Sequence, residues 1–399
     1  MSLRTPAGFI RPGYDPLKVP DAPTIGTATA GAVDSGQASV AFTAPTNVGG
    51  SPITAYYAVS NPGQITATGA SSPVTVTGLT NDTAYTFQVW ALNSYGPGVW
   101  SSASGSVTPV AARGVFGYGD PTGLSYIQIA TTGNATSFGN ESAARTFAGA
   151  CASSTRGLWG GGTGPLNNID YITIASTGNA LDFGDLTVTR TFASGLSNST
   201  RGIFAGGYTG SVYSNVIDYV TIASTGNATD FGDRTFTAGA CATCASPTRG
   251  VMAGGQTATN IESATIDYIT IASTGNATSF GTLSTARGFT AGCGSDVRGV
   301  FGAGRTGSGT TTITMEYVTI ATTGSATSFG NLSASIESLS ACSSNIRGVF
   351  AGGETGGGTS TNVINYITIA SAGNSTDFGD LISATRRLSS CSNAHGGLQ

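Results

Sequence analysis

Apolar and polar residues alternate along most of this chain in short runs that Gly, Asn and Asp interrupt. Alternation with a period of two is typical of β-strands that bury one face. Before residue 112, such runs occupy residues 38–43, 53–60, 74–77, 85–92 and 104–108. After it, similar runs recur in six copies. The pattern predicts an all-β protein.

The six copies share fixed spacings. The interval from a repeated Tyr to a repeated Phe-Gly pair is 12 residues in every copy, and the interval from that Phe to the next Arg-Gly pair is 18. Only the Arg-to-Tyr interval varies, from 13 to 19 residues. Insertions are therefore confined to one loop per copy, as in repeat architectures. The repeated residues are Arg113, Arg156, Arg201, Arg249, Arg298 and Arg347; Tyr126, Tyr171, Tyr219, Tyr268, Tyr317 and Tyr366; and Phe138, Phe183, Phe231, Phe280, Phe329 and Phe378.

Each copy predicts four strands. Strand a has the pattern of residues 145–153, strand b that of 202–207, strand c that of 218–224 and strand d that of 228–231. A tight turn at residues 225–227 joins c to d, and Gly226 and Asn227 are residue types that accept a positive φ. The first copy lacks strand a, whereas residues 384–392 form a strand a with no copy after it. The last strand can therefore complete the first sheet.

Four antiparallel strands in each of six copies are typical of β-propeller blades. The Gly-Gly after strand b, followed by a Tyr strand, resembles the kelch and galactose-oxidase-like propeller repeats, although Phe of the Phe-Gly pair replaces the Trp of that family. The resemblance implies a six-bladed β-propeller over residues 110–399, closed by the C-terminal strand so that no sheet edge is left free. The alternative is an open solenoid, which would need polar caps.

Residues 20–109 predict a β-sandwich. The spacing of Leu79 and Tyr85 resembles the tyrosine corner of fibronectin type III domains, and residues 85–93 resemble that family's F strand. Phe42 stands where the family usually has Trp. The resemblance implies a spacer or binding module.

Residues 1–19 are rich in Pro and Gly and predict either a disordered tail or an extended arm that orders when it docks on a neighbouring subunit. In the second interpretation the arm anchors the protein to a particle through Phe9, Ile10, Arg11 and Tyr14.

Composition narrows the function. Charged residues are 9% of the chain, the net charge is −4, and Lys18 is the only lysine. A phosphate-binding patch is hard to build from such a set, so we expect no nucleic-acid partner. No apolar run approaches the ~20 residues of a membrane span, and the first residues lack the apolar segment of a signal peptide. We therefore expect no membrane insertion.

The cysteines predict core packing. Five of the six lie 13 residues after the Phe of the preceding copy, and Leu196 takes that place in the remaining copy. A position that accepts Cys or Leu is a small apolar core position. Cys241 and Cys244 form a lone CxxC without the second pair that a zinc site needs. We expect no metal and no cofactor.

Catalytic motifs are missing too. His395 is the only histidine, and no HExxH, GxSxG or phosphate loop occurs. We expect no catalytic residues and no enzyme. The repeated arginines could encircle a central axis as an anion site, but the alternative in which each caps its own repeat is favoured.

Recognition is expected in the b–c loops, because only these loops vary in length. They span residues 120–124, 163–168, 208–216, 256–265, 305–314 and 354–363. Short polar residues with a few aromatics suit adaptable binding of sugars or proteins; the alternative is plain solvated loops. The candidate receptor-facing residues are Tyr208, Tyr213, Gln256, Asn260, Glu262, Arg305 and Glu354.

An arm, a fibronectin type III sandwich and a low-charge propeller together resemble the virion appendage proteins of tailed bacteriophages. That resemblance implies a non-enzymatic tail fibre or adhesin on the extracellular particle. Its partners would be other virion proteins and a host surface glycan or protein. The alternatives are a capsid decoration protein and a secreted glycan-binding protein or carbohydrate-active enzyme, the last of which would need paired carboxylates. Whether copies of the chain associate stays open.

Overall fold

The computed structural model describes residues 17–398, and the chain divides into two compact units between Ala111 and Ala112. Residues 17–398 contain strands and one short 3-10 helix but no α-helix, as the all-β prediction required. The proposed anchoring residues Phe9, Ile10, Arg11 and Tyr14 lie outside the described residues.

The first unit is a sandwich of two antiparallel sheets. Its strands are β1 (Thr24–Ala30), β2 (Ala38–Thr43), β3 (Ala55–Asn61), β4 (Thr66–Gly69), β5 (Val74–Val76), β6 (Thr86–Asn93) and β7 (Gly96–Pro97). One sheet has the order β1-β2-β5 and the other β4-β3-β6-β7. Alternate residues of β2, β3 and β6 point into the core, which includes Phe42, Tyr56 and Phe87.

The structure contains the predicted tyrosine corner of this unit but not its last predicted strand. The N–H of Thr80 donates to the hydroxyl of Tyr85 at 3.1 Å, which is the bond that a tyrosine corner requires. The predicted strand at 104–108 does not form, and only Val107 bridges Tyr85. Instead, the hydroxyls of Ser101 and Ser104 accept from the N–H groups of Val89 and Phe87, each at 2.9 Å. These serines satisfy the edge of β6 that a full strand would otherwise cover.

The second unit contains six four-stranded antiparallel sheets, named here repeat sheets 1 to 6, each with the order a-b-c-d. Sheet 1 consists of β8 (Arg113–Gly117), β9 (Leu124–Gln128), β10 (Thr136–Gly139) and the C-terminal strand β35 (Ser389–Ser392) as strand a. Sheet 2 consists of β11 (Gly149–Ala152), β12 (Arg156–Gly160), β13 (Leu166–Thr173) and β14 (Leu181–Arg190). Sheet 3 consists of β15 (Ser194–Ser197), β16 (Arg201–Ala205), β17 (Val216–Thr221) and β18 (Thr229–Asp233).

The remaining sheets follow the same plan. Sheet 4 consists of β19 (Ala242–Ala245), β20 (Arg249–Ala253), β23 (Thr265–Thr270) and β24 (Thr278–Thr282), and sheet 5 of β26 (Ala291–Gly294), β27 (Arg298–Gly302), β29 (Thr312–Thr319) and β30 (Thr327–Ile336). Sheet 6 consists of β31 (Ser340–Ser343), β32 (Arg347–Ala351), β33 (Val363–Thr368) and β34 (Thr376–Asp380). Short strands β21 (Gln256–Ala258), β22 (Ile261–Glu262), β25 (Arg287–Gly288) and β28 (Arg305–Thr306) lie in the connections, and a 3-10 helix (Gly396–Leu398) ends the described chain.

The a strands of all six sheets contact one another in the order 35, 11, 15, 19, 26, 31 and again 35, and together they line a cavity of about 170 Å³. Serine hydroxyls satisfy part of their inner edges. Ser197 accepts from the N–H of Ala152 at 3.0 Å and donates to its carbonyl at 2.7 Å. Ser343 makes the same pair of bonds to Gly294. Such bonds replace the ladder that an unpaired edge lacks.

Glycine of the repeated Arg-Gly pair is required by close packing between sheets. A Cβ at Gly299 of sheet 5 would lie 2.1 Å from Sγ of Cys244 in sheet 4, and one at Gly202 of sheet 3 would lie 2.7 Å from Sγ of Cys151 in sheet 2. The described cysteines are all buried and free of disulfides. The interpretation of the repeated cysteine as a core position agrees with this packing.

Two local expectations were wrong. Strand a is shorter than residues 145–153, because Phe147 has a φ of 58° and the extended strand begins only at Gly149. Asn227 does not adopt a positive φ. Its side-chain oxygen instead accepts from the N–H of Asp185 in the preceding sheet at 3.1 Å. The repeated Thr-Gly-Asn turn therefore joins neighbouring sheets.

Candidate functional site

The b–c loops and the d–a connections meet at one end of the strands. There, one residue of each loop pairs through the backbone with one residue of a connection, and we call these twelve residues the rim. In five of the six pairs an isolated bridge or two-stranded pairing forms, and Thr163 donates from its N–H to the carbonyl of Thr146 in the sixth. The rim pairs are Asp120–Arg386, Thr146–Thr163, Thr191–Tyr208, Gly239–Gln256, Gly288–Arg305 and Glu337–Glu354.

The rim keeps its backbone geometry, while the side chains of its six loop members all differ. Its loop members are Asp, Thr, Tyr, Gln, Arg and Glu at one repeated position. Four of the candidate residues, Tyr208, Gln256, Arg305 and Glu354, occupy that position. The a–b and c–d loops at the other end of the strands keep nearly the same residues in each copy. Binding residues often lie on loops that a rigid scaffold positions, so the rim is the candidate site.

Directly after each connection member of the rim lies one residue of an inner ring: Phe147, Phe192, Ala240, Phe289, Ser338 and Arg387. Their φ angles are 58°, 58°, 54°, 54°, 54° and 60°. Each N–H donates to the carbonyl of the inner-ring residue one sheet earlier, at 2.8–3.1 Å, and Phe147 donates to Arg387 at 3.0 Å. The six bonds return to their starting point.

Three phenylalanines of the inner ring form one aromatic cluster. The ring centroids of Phe147 and Phe192 are 4.5 Å apart, those of Phe192 and Phe289 5.4 Å, and those of Phe147 and Phe289 5.8 Å, all edge to face. Arg305 lies 4.6 Å from the ring centre of Phe289 and Arg387 5.5 Å from that of Phe147. The three phenylalanines are only partly buried. They place apolar surface at the centre of the loop face.

The loops of sheets 3, 4 and 5 are linked through Gln256. The rings of Tyr208 and Tyr213 pack at 5.1 Å. With its amide oriented to suit its neighbours, Gln256 donates to the hydroxyl of Tyr213 at 2.5 Å and accepts from the guanidinium of Arg305 at 2.7 Å. Its oxygen also accepts from the N–H of Asn260 at 3.2 Å. Burial raises the pKa of the Tyr213 hydroxyl, and Tyr208 beside it adds to the rise.

Carboxylates and arginines contact one another at and beside the rim of sheets 5 and 6. Arg305 contacts Glu262 at 3.3 Å and Glu337 at 3.6 Å. Glu354 binds Arg386 at 2.6 Å and lies 3.9 Å from Nε of Arg387. Burial raises the pKa of the Glu337 carboxyl, which Arg305 opposes. These acids are therefore neutralised in pairs with arginines.

The seven candidate loop residues thus divide into two groups. Gln256, Glu262 and Glu354 are buried and hold the loops together, whereas Tyr208, Tyr213 and Arg305 are partly exposed and Asn260 is exposed. Aliphatic side chains that the sequence reasoning passed over are also exposed on this end. Val212 and Ile261, at the tips of two b–c loops, keep 62% and 58% of their surface in solvent.

The repeated arginines do not surround a central site. Each stacks over the Tyr of its own sheet, for example Arg298 at 4.3 Å from the ring centre of Tyr317. Its guanidinium donates to carbonyls at the end of strand c in the next sheet, as Arg298 does to Ile369 at 3.0 Å. Arg347 of sheet 6 donates to Ile129 of sheet 1 at 2.9 Å. The expectation that each arginine caps its own repeat is corrected: it ties two sheets together.

Four buried ion pairs were missed by the sequence reasoning. They are Arg145–Asp170, Arg190–Asp218, Arg234–Asp267 and Arg287–Glu316, with N–O distances of 2.5–2.8 Å. A signal was present in the repeats. The residue before the repeated Tyr is acidic only in sheets 2 to 5. In each of these sheets the pairing arginine lies three or seven residues after the repeated Phe of the preceding sheet. Sheet 6 has Ile336 and Asn365 at these positions, and sheet 1 has Thr385 and Ser125.

Within residues 17–398, no group of three or more His, Cys, Asp and Glu side chains could hold a metal ion. The CxxC cysteine Cys241 contacts the guanidinium of Arg234 at 2.6 Å, and burial raises its pKa. In the same part of the chain, no helix is long and apolar enough to cross a membrane.

Residues 21–106 match the fibronectin type III domain family. The first unit is therefore a fibronectin type III domain, in agreement with its two-sheet sandwich and its tyrosine corner. The match covers less than half of the chain and leaves the six repeat sheets unassigned. Comparison of the chain with curated proteins gave no match.

Proposed function

We propose that the six repeat sheets are the blades of a closed β-propeller of the kelch-like kind, within a region that begins near residue 110. Three interactions between the beginning and the end of the repeat region support closure. Strand β35 pairs with β8, Arg347 binds the carbonyl of Ile129, and Phe147 donates to Arg387. An open solenoid would leave these groups without such partners. The blades then surround a central axis, with the rim and the inner ring at one mouth.

The loop face is the recognition surface of this propeller. One observation carries this assignment: the loop position of the rim keeps one backbone arrangement in six copies and holds six different side chains. Structural positions elsewhere in the repeat keep their residues, such as the repeated Arg, Tyr and Phe. A scaffold under structural constraint alone gives no reason for such variety at one end of the strands.

The protein then serves as a non-enzymatic adhesin of a tailed-bacteriophage particle, a tail fibre or tail-associated protein. Its N-terminal arm and fibronectin type III domain attach it to other virion proteins, and its propeller contacts a host surface glycan or protein. Low charge, a single lysine and a surface of Ser, Thr and Gly support an exposed appendage over a nucleic-acid or membrane partner.

Paired variants at the two ends of the strands test this function. Val212→Ser with Ile261→Ser removes exposed aliphatic surface from the loop face. Val297→Ser with Ile346→Ser removes similar surface, 58% and 73% exposed, from the a–b loops at the other end. We expect the first pair to weaken adsorption of particles to host cells at least tenfold, about 1.4 kcal/mol, and the second to leave it unchanged.

Deletion of residues 113–399 should leave particles that assemble but do not adsorb. Adsorption that survives this deletion would refute the adhesin and favour capsid decoration. Release of reducing sugars from host polysaccharide by the purified chain would refute the non-enzymatic assignment and favour the carbohydrate-active enzyme, since Glu337 and Glu354 are neighbouring carboxylates.

A further inference from the structure

The inner ring contains bulky side chains where the backbone favours glycine. A left-handed conformation costs an L-residue about 1–2 kcal/mol, and glycine adopts it without that cost. None of the six inner-ring residues is glycine. Ala240 and Ser338 make the same backbone bonds as the phenylalanines, so the turn itself does not need an aromatic ring. Strain retained in this way points to a function for the three rings.

The rings stand at the mouth of the cavity along the six a strands. Its volume is about 170 Å³, and a cavity of ~150 Å³ accepts a molecule of the size of benzene. The space therefore has the size of a single six-membered ring. At its far end lie His395 and Gly396, and the side chains facing it from the strands are small, such as Ala150, Thr243 and Ser390.

Two polar atoms in the cavity wall have unused hydrogen-bonding capacity. Within the described chain, Oγ of Ser389 and Nε of Arg387 make no hydrogen bond although both atoms are buried. The Arg387 side chain is 38% exposed, and its nearest carboxylate is 3.9 Å away. Unsatisfied buried donors cost free energy, so a purely apolar ligand would fit this cavity poorly.

We propose that the three inner-ring phenylalanines and this cavity bind one pyranose unit of a surface glycan. The apolar C–H face of the sugar packs on Phe192 and Phe289, and its hydroxyls or a carboxylate bind Arg387 and Ser389. This proposal rests on the recognition function given above, because it names the class of receptor and the place where it is held. A uronic acid would bind the positive charge of Arg387, whereas a neutral hexose would only accept hydrogen bonds from the N–H groups of Arg387.

The repeat supplies a matched set of variants. Phe192→Gly and Phe289→Gly remove a ring and relieve the left-handed strain at the same position, so the backbone of the turn is favoured. Ala240→Gly makes the same backbone change where no ring is present. Thermal unfolding of each variant verifies that the repeat unit remains folded.

Saturation-transfer NMR on the full chain is the first measurement, with the methyl glycosides of glucose, galactose, N-acetylglucosamine and glucuronic acid as probes. We expect transfer to the ring protons of at least one probe, a loss of affinity of at least tenfold in each Phe→Gly variant, and no change in Ala240→Gly. Arg387→Ala should weaken glucuronate more than the neutral sugars. The absence of transfer from all four probes, or equal binding by the Phe→Gly variants, would overturn the proposal.

Binding to host cells separates this proposal from the adhesin function. Periodate treatment of the cells, which cleaves vicinal diols, should abolish binding of the wild-type chain, and protease treatment should preserve it. If the loop-tip pair Val212→Ser and Ile261→Ser loses binding while Phe192→Gly with Phe289→Gly retains it, the adhesin function stands and the sugar site is wrong. If only protease abolishes binding, the receptor is a protein and the sugar site is again wrong.

Discussion

The buried pair Arg190–Asp218 permits a stability test, because sheet 6 has an uncharged pair, Ile336 and Asn365, at the equivalent positions. Both side chains are fully buried, with NH2 of the arginine 2.5 Å from the carboxylate. The guanidinium also donates to the carbonyls of Val216 at 2.8 Å and Gly206 at 3.1 Å. Burial lowers the pKa of Arg190, and the Asp218 charge opposes that effect. The pair is therefore favourable only as long as both charges are present.

The N–H and the hydroxyl of Thr187 also donate to the Asp218 carboxylate, at 3.2 and 2.5 Å. Arg190→Ile leaves this buried carboxylate with only the Thr187 donors, and Asp218→Asn leaves a buried guanidinium without its counter-charge. We expect each to lower the free energy of unfolding by about 3–5 kcal/mol. The double variant reproduces Ile336 and Asn365 of sheet 6, which are buried at the equivalent positions. It should lie within about 2 kcal/mol of wild type, because no unpaired charge remains.

Calorimetric unfolding of the full chain measures the cycle. Tyr85→Phe, which removes the tyrosine-corner bond, identifies the transition of the fibronectin type III domain and separates it from that of the repeat unit. If the double variant loses as much unfolding free energy as the two single variants together, the reasoning is refuted, because the charges are then not coupled.

Three further predictions concern the core and the C-terminus. Nε2 of His395 lies 3.1 Å from the carbonyl of Ala152, and burial lowers the pKa of this histidine to about 4. The free energy of unfolding should therefore fall as the pH drops from 6.5 towards 4, by at most about 3 kcal/mol and by less because the side chain is partly exposed. His395→Gln should remove this pH dependence in chemical denaturation. Gly299→Ala should cost about 1–3 kcal/mol by driving a methyl against Cys244, and Cys244→Ala in the same chain should recover much of that loss; equal stability of Gly299→Ala and wild type in thermal unfolding would contradict the close packing. Removal of residues 388–399 should abolish cooperative unfolding of the repeat unit by exposing the edge of β8, and a peptide spanning 386–399 should restore it; an unchanged transition would contradict closure by β35.

Much of the fold could be predicted because its signals are local. The period-two alternation gave the strands, the Leu79–Tyr85 spacing indicated the tyrosine corner, and the 12- and 18-residue intervals gave six equivalent sheets. The shared place of Cys151 and Leu196 indicated a core position. Each of these depends on neighbours in the chain or on comparison of one repeat with another, which a sequence displays directly.

The loop residues show where that information ends. Gln256 and Glu354 are polar and lie in variable loops, which suggests exposure, yet both are buried because partners from other sheets, Arg305 and Arg386, approach them. The aromatic cluster joins Phe147, Phe192 and Phe289 across three sheets. No local pattern identifies these contacts.

The sequence by itself determined where most of the strands lie, where the copies may differ and which positions repeat. Only the tertiary structure decided that the repeated arginines bind the next sheet, that Phe147 takes a left-handed turn, and that Arg190 lies beside Asp218. The physical reason is that strand periodicity arises from the covalent backbone, whereas the burial of a side chain and the partner of a charge depend on segments that approach only when the sheets pack.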